Sequence, residues 1–385
     1  MPAKNGIIHL LDLPEDKVCV KLPDKLQKKM IKTAITIAGG RCKLAYKIGV
    51  KPVNIYDFEK SRFKSITFSV VNKLSAFLVA NNYDEFSLKN LERKLEYIKS
   101  KFTGNFIFMP KFPMNFNCRE GAQIISAILF DGGITSRYFP IYTNNEECLV
   151  NKFIRNIQNV IGKIEFTRYT KRKCGNLFRV TLSTVIGYIL SSGLEISVGD
   201  KTSNNPSIPE FIINNPNLYK SFLQQAFDDE GTVSKKVSKA ISLSQSNLRK
   251  EPPKRLIQLK EMIERFNIPV NGPYLLKKYE SSNGDYISYH WHIQITNQSD
   301  IKNFAQKINF SLKRQRTKIE EALASYISKP QFKKGTKFKK ILEICKDLKK
   351  ENKKVTVKNV ADKLKRKEFY IKMLMRGYVT DYEQD

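Results

Sequence analysis

Apolar positions along this chain change period several times, and each change marks an element. Residues 26–38 carry apolar side chains at helical spacing and stop at Gly39-Gly40. Residues 83–102 read as a further amphipathic helix rich in Lys and Glu, closed by Thr103-Gly104. Residues 163–171 and 177–183 alternate instead. Ile164, Phe166, Phe178, Val180 and Leu182 share one face, while Lys163, Thr167, Tyr169, Arg179, Thr181 and Ser183 share the other, across a basic turn at Arg172-Lys-Cys-Gly175-Asn176. The alternation returns downstream of Lys278, beyond the turn Ser282-Asn283-Gly284-Asp285. There Ile287, Tyr289, Trp291, Ile293 and Ile295 oppose Ser288, His290, His292 and Gln294. Period two with one apolar face predicts antiparallel sheet packed on helices, its other face polar and basic.

Each alternating stretch follows the same kind of helix. Ile124-Ile-Ser-Ala-Ile-Leu-Phe-Asp131-Gly132 and Leu223-Gln-Gln-Ala-Phe-Asp-Asp-Glu230-Gly231 are apolar helices that end in a carboxylate and then glycine. A carboxylate in the last turn faces the negative end of the helix dipole, so helix stability does not explain it. The glycine reads as the residue that turns the chain out of the helix. One such run is usually an ordinary buried helix with a glycine stop. Two, about 100 residues apart and each followed by sheet, read as a repeated α/β unit that holds two acids in one place.

Flanking segments carry a different spacing. Ala45, Gly49 four residues later and Ile55 six after that match a helix-turn-helix: alanine at the close helix crossing, glycine in the turn and a second helix from about Pro52. That helix would present Lys51, Asn54, Tyr56 and Lys60 to DNA, although the same turn also suits a plain αα-hairpin. Pro110-Lys-Phe-Pro113 breaks regular structure ahead of the first acid-ending helix. Toward the C-terminus a helix over residues 337–350, a segment at residues 355–364 containing Ala361, and a third run ending at Gly377-Tyr-Val look like a small winged-helix unit, or a basic three-helix appendage. The Lys-rich stretch 328–340 is its linker. The organisation expected is residues 1–104, 105–327 (repeats at about 105–200 and 201–327) and 328–385.

Charge adds the partner. Lys and Arg number 68 against 37 Asp and Glu, a formal net charge of +31, and the excess runs through every segment. Such a field repels itself unless it meets a polyanion, and its spread favours an extended phosphate backbone over one acidic protein patch. Six scattered cysteines without a C-x-x-C pair suggest a reduced, intracellular protein with no zinc ribbon. No signal peptide or membrane-length apolar run is visible, which points to the cytoplasm and the nucleoid within it. His290 and His292 would point the same way, but no acid or thiol nearby completes a zinc site, and groove contact is the better reading.

The two acid-ending helices resemble the LAGLIDADG family of homing endonucleases, most closely the monomeric two-repeat kind, over residues 105–327. Gly199-Asp-Lys201-Thr and the segment from Phe304 to Lys313 extend the resemblance. It implies an α+β fold: a two-repeat core of antiparallel sheets with paired central helices, flanked by small all-α or winged-helix DNA-binding domains and related internally by a pseudo-two-fold. In that family the last acid of each motif meets its counterpart across the helix pair and binds divalent metal over the scissile phosphates. By the match these acids are Asp131 and Glu230, the metal is Mg²⁺ or another divalent cation, and Lys201 and Lys313 are the basic groups of the two repeats. The family prefers small residues at the third and seventh motif positions; here they are Ser126 and Phe130, and Gln225 and Asp229. The activity implied is site-specific double-strand cleavage of DNA. Groove contacts would come from Lys163, Tyr169, Arg172, Arg179, Thr181, Lys278, His290, His292 and Gln294. The alternative is a DNA-binding regulator that keeps the scaffold without cutting, as in WhiA-like proteins. An intron RNA maturase fits less well, because helix-turn-helix units suit B-form grooves.

Overall fold

The computed structural model describes residues 5–60, 65–102, 104–171, 176–234, 239–280, 286–326 and 337–375. It is an α+β chain that divides into two units, Met1–Ile319 and Glu320–Asp385.

Two four-stranded antiparallel sheets with one topology dominate the first unit. In each, a long helix feeds directly into a first strand, a second strand returns beside it, and the remaining two strands form a hairpin whose later member lies inside. The first sheet runs Gly132–Ile134, Pro140–Asn144, Leu177–Leu182, Phe166–Lys171; the second runs Gly231–Ser234, Ala240–Asn247, Ile287–Ile295, Asn271–Glu280. The feeding helices are Arg119–Leu129 and Pro216–Glu230, the first and second motif helices below. Cys118 caps the first, its sulfur accepting from Gly121 N at 3.3 Å, and Asn215 caps the second, with Pro216 at the first helical position.

The motif helices pack on each other. Ser126 Oγ donates across the interface to the carbonyl of Phe222 at 2.9 Å, and the Phe130 and Phe222 rings meet edge to face at 6.2 Å. A side-chain hydroxyl as short as serine's reaches a neighbouring backbone only where the helices come close. The departure from small residues at Gln225 and Asp229 is absorbed by polar partners rather than by separation.

The motif glycines are needed for space, not for a left-handed turn. Gly231 has φ −77° and ψ 140°, ordinary extended backbone. A Cβ on it would lie 2.4 Å from the Phe227 carbonyl oxygen, and one on Gly132 would lie 2.8 Å from those of Ala127 and Ile141. The chain leaves each helix straight into a strand folded back over the last turn, and only hydrogen fits between.

The expected boundary near residue 104 falls inside a sheet. Strands Ile66–Thr67, Val18–Lys21, Tyr97–Ser100, Phe106–Phe108 and Lys163–Ile164 form one five-stranded antiparallel sheet in that order. The stretch expected as a helix over residues 83–102 is only a short helix, Leu88–Glu92, before the strand Tyr97–Ser100. Ile98 and Ser100 alternate inward and pair with Val20 and Val18, and this cross-strand pairing outweighs the helical propensity of the neighbouring lysines and glutamates. The strand expected to run from Lys163 to Lys171 breaks at Glu165. Its first two residues pair with Phe108 and Ile107, while Phe166–Lys171 pairs with Leu177–Leu182. Phe166 therefore stands 38% exposed rather than on the buried face.

Near the N-terminus, helices Asp24–Ala38, Arg41–Ile48 and Pro52–Glu59 pack together. Ala45 and Ile55 are fully buried, and Gly49 sits at φ 64°, a left-handed position that glycine takes without strain.

The second unit contains helices Lys337–Lys350, Val357–Lys363 and Glu368–Met375 around Ile341, Leu348, Val360, Ala361, Leu364 and Ile371. The wing expected at Gly377-Tyr-Val, residues 328–336 of the linker expected over 328–340 and the turns at residues 172–175 and 281–285 lie outside the described residues, while residues 337–340 of that linker open the helix Lys337–Lys350.

Gly231→Ala tests the steric reading. It should destabilise the first unit by roughly 3 kcal/mol, read by chemical denaturation, because the Phe227 carbonyl cannot move without breaking the last helical turn. A change below about 0.5 kcal/mol would show that the strand can lift away from the helix.

Candidate active site at the ends of the paired helices

Asp131 follows the last turn of the first helix and Glu230 ends the second, and each is held by an amide from the neighbouring strand. Asn144 Nδ2 donates to Asp131 Oδ2 at 2.6 Å, and Gln245 Nε2 donates to Glu230 Oε1 at 2.9 Å. The two amides correspond by register. Gly132 pairs with Tyr142 and Gly231 with Leu243, and in each repeat the amide lies two residues beyond that partner on the same strand face. One construction is thus made twice: helix, acid, glycine, returning strand, amide.

A third carboxylate lies beside Asp131, sharing Asn144 with it. Asp229 Oδ1 accepts from the Tyr142 hydroxyl at 2.7 Å, from Gln225 Nε2 at 3.0 Å and, at 3.4 Å, from Asn144 Nδ2. Its Oδ2 is buried with no hydrogen-bond partner among the described residues. Burial first, then the nearby Asp131 charge, push the Asp229 carboxyl well above the usual carboxylate range, against the pull of the Tyr142 hydrogen bond. The Tyr142 phenol is raised in turn, by its own burial and by Asp229. Asp228, one residue earlier, points the other way. It accepts from the backbone of Ser311 at 2.8 Å and from that residue's hydroxyl, which fixes the approach to the helix Lys313–Ala324.

Two buried cations, Lys201 and Arg255, meet at the end of the first helix, while Lys152 lies 3.8 Å from Asp228 in the last turn of the second. Lys201 Nζ donates to the carbonyls of Phe130 and, at 3.2 Å, Leu129, and the Arg255 guanidinium reaches the Leu129 carbonyl at 3.3 Å. These oxygens lack partners within the helix, so the cations satisfy its C-terminus and oppose its dipole. Burial, then the charge of Arg255, bring the Lys201 ammonium down to about 8, while Glu230, Asp131 and Asp229 pull it up. Burial likewise brings Arg255 down to about 10. Just beyond the second helix the group on the carbonyl is neutral: Gln315 Nε2 donates to the Gly231 carbonyl at 3.3 Å. Lys313 opens its helix as Lys201 opens the short helix Lys201–Asn204, but it is exposed, and Gln315 makes the inward contact.

Asp131 reports the proximity of the acids. Burial, then the charge of Glu230, push its carboxyl up to about 7, against Lys201 and the Asn144 hydrogen bond. A buried carboxyl whose ionisation is opposed by the charge of a second acid suits a divalent cation, whose charge would offset it. Among the described residues no group of three or more His, Cys, Asp or Glu is arranged to hold a metal. Two carboxylates completed by water and phosphate oxygens are the usual protein share of a Mg²⁺ site on nucleic acid, so Asp131 and Glu230 fit that ion.

The groove candidates divide by location. On the first sheet Tyr169 pairs with Arg179 and stands 54% exposed, Arg179 Nε donates to Thr143 Oγ1 at 3.2 Å, and Thr181 lies half-buried opposite Thr167. Lys163 is exposed but belongs to the five-stranded sheet, and Arg172 lies outside the described residues. On the second sheet Lys278 is exposed with its ammonium 5.9 Å from the Tyr289 ring centre, and Gln294 is half-buried. His290 Nδ1 shares a hydrogen bond of 2.8 Å with Ser246 Oγ. His292 departs from its expected exposure. It is 8% exposed, its ring centre 5.9 Å from that of Tyr274, because the outer strand is irregular in register on both sides of Tyr274-Leu275 and curls that tyrosine over it. Near the N-terminus Lys51 and Lys60 are exposed, while Asn54 and Tyr56 are half-buried, with the Arg41 guanidinium 5.7 Å from the Tyr56 ring centre.

Residues 217–309, from the second motif helix through its sheet, match the family model of the LAGLIDADG-like domain. Over that segment, about a quarter of its length, the chain is similar to the LAGLIDADG family. Among solved structures it is similar to the full-length DUF199/WhiA protein from Thermatoga maritima, at 12% identity and a TM-score of 0.35, over 69% of this chain and 93% of that one. It is also similar to the homing endonuclease I-DmoI. The complex with DNA and Mn matches at 16% identity and a TM-score of 0.32, over 50% of this chain and 97% of that one. Mesophilic variants match at 17% identity and a TM-score of 0.35, over 54% of this chain and 98% of that one. A search of curated protein sequences finds no match. No helix among the described residues is long and apolar enough to cross a membrane.

Asn144, Gln245, Tyr142, Arg255 and Gln315 were not singled out from sequence. The amides carried a faint signal: both stand on inward positions of an alternating strand soon after a motif glycine, where an apolar residue is the default.

The raised Asp131 carboxyl sets a pH dependence. Its folded value of about 7 lies above the ordinary 3.8, so the folded state binds the proton more tightly and stability falls as pH rises between those values, then levels off. Asp131→Asn should remove this fall. Without divalent cations it should stabilise the fold by on the order of 2 kcal/mol at pH 8 and by little at pH 4, followed by thermal melts. Equal effects at both pH values would mean that packing, not ionisation, is responsible.

Proposed function

We propose that this protein binds duplex DNA and hydrolyses phosphodiester bonds at a divalent-cation site formed by Asp131 and Glu230. The observation that carries the reading is the placing of these two acids at the ends of paired helices, each bonded by a strand amide, with the charge of Glu230 helping to raise the Asp131 carboxyl. Helix stability gives no reason to place them there. A divalent cation held by them would polarise the scissile phosphate and lower the pKa of an attacking water. Asn144 and Gln245 fix the orientation of the carboxylates. Lys201 and Arg255 hold the end of the first helix in place and add positive charge beside a site that must receive a polyanion. The exposed strands Phe166–Lys171 and Asn271–Glu280, with Tyr169, Arg179 and Lys278, offer the polar and aromatic surface for the duplex; the helix Pro52–Glu59, with Lys51 and Lys60, reads as the second half of a helix-turn-helix.

The second reading is a DNA-binding regulator without cleavage. It draws on the capture of the Leu129 and Phe130 carbonyls by Lys201 and Arg255, which uses oxygens that could otherwise serve as further ligands.

Cleavage of a randomised duplex library with Mg²⁺ separates the two, run beside the Asp131→Asn/Glu230→Gln double variant with the bound uncut fraction sequenced from the same reactions. The expected outcome is metal-dependent cutting at one sequence, lost by at least about a thousandfold in the double variant, with DNA affinity within about threefold of the parent. Selective binding without cuts would leave the regulator. Undiminished cutting by the double variant would remove Asp131 and Glu230 from the site.

A further inference from the structure

The C-terminal unit repeats the geometry of the N-terminal helical pair residue for residue. Helix Arg41–Ile48 turns through Gly49 into Pro52–Glu59; helix Val357–Lys363 turns through Lys365 into Glu368–Met375. Each first helix begins four residues before an alanine, and each second helix begins seven after it. Ala45 and Ala361 are 0% and 1% exposed where the helices cross, and Ile55 and Ile371, ten residues later, are both fully buried. Four residues after the alanine, Gly49 and Lys365 are both left-handed, at φ 64° and 49°. The turns close with the same hydrogen bonds: Val50 N to Ala45 O at 2.9 Å, and Arg366 N to Ala361 O at 2.8 Å. A third helix supports each pair, Asp24–Ala38 in one case and Lys337–Lys350 in the other.

A lysine in the left-handed region costs energy that glycine would avoid, so the shared geometry is not simply what these residues favour. The surface is basic as well: residues 337–375 contain fourteen Lys and Arg against five Asp and Glu. Lys367, Phe369 and Lys372 occupy the places that Lys51, Val53 and Tyr56 hold at the start of the other second helix; all three are exposed, Phe369 at 66%. An exposed aromatic between two lysines at the head of a helix suits a groove flanked by phosphates, with the ring against base edges or sugars and the ammonium groups on the backbone.

We infer that Val357–Lys363 and Glu368–Met375 form a second helix-turn-helix that reads duplex DNA through Lys367, Phe369 and Lys372, so that the full target extends beyond the sequence read by the two-sheet core and the N-terminal helices. This rests on the reading of the chain as a DNA-binding protein and not on cleavage.

The test is footprinting of the full-length protein on a duplex selected from a randomised library, in buffer with EDTA, beside a Lys367→Glu/Lys372→Glu variant and a Phe369→Ala variant. Thermal melts verify that both fold as the parent does. The expected result is loss of one contiguous protected segment at one end of the footprint in the charge-reversal variant, with affinity down at least tenfold. Phe369→Ala should keep the footprint's length but relax sequence preference within that segment. A parental footprint in the charge-reversal variant would overturn the inference, and so would weaker binding spread evenly over an unshortened footprint, the mark of bulk charge alone. Because no cutting is needed, failure of the nuclease reading leaves this test intact. Absence of any DNA binding would remove both.

Discussion

Two helix backbones meet where Ser126 reaches the carbonyl of Phe222, and the close crossing governs what their neighbours can be. It brings the helix ends together, and with them the two acids. Within each repeat the chain turns back at once into a strand, which leaves no room for a Cβ at Gly132 or Gly231. The strand that returns places an amide beside each acid. The polar residues at Gln225 and Asp229 belong to the same constraint. Where small side chains were expected, this chain inserts two polar ones that bond to Tyr142, Asn144 and each other, while Asp229 Oδ2 stays buried without a hydrogen-bond partner among the described residues.

The repeated scaffold does not carry a repeated charge. Two buried cations cover the carbonyls at the first helix end, and a neutral amide serves the second. Asp131 and Glu230 have similar hydrogen-bond partners, and the cations that hold the first helix end also act on Glu230. A duplex has no such bias built into its phosphates, so the protein, rather than the substrate, distinguishes the two halves of the site.

Much of this was legible in sequence where the signal was local. The acid-glycine endings located both motif helices, the alternation at Phe178, Val180 and Leu182 located a strand, and the Ala45, Gly49, Ile55 spacing located the N-terminal turn. What escaped depended on distant pairing. Tyr97–Ser100 looked helical because Lys and Glu surround it, and only Val18–Lys21 and Phe106–Phe108 make it a strand. Lys163–Ile164 left its expected hairpin because Phe106–Phe108 offered an edge. In the site, Asp131 and Glu230 stood out by their positions in a pattern, whereas Asn144, Gln245 and Gln315 gain their roles only when a strand or helix remote in sequence arrives beside them. Lys201 and Lys313 show the limit of motif correspondence: equal places at the start of a helix, yet one points inward and the other outward.

The outer strands carry one more consequence. Asn271–Glu280 lies at an open sheet edge, mostly exposed, with Tyr274, Leu275, Leu276 and Tyr279 facing water. A flat strand of that composition would template the addition of another strand and drive the protein out of solution. Its two register irregularities bend the edge, and Lys277 and Lys278 place like charges in the path of any second copy. The lysines suited to meet a phosphate backbone are therefore also what keeps the molecule dispersed in its absence, and replacing them would trade a weaker grip on a polyanion for a tendency to self-associate.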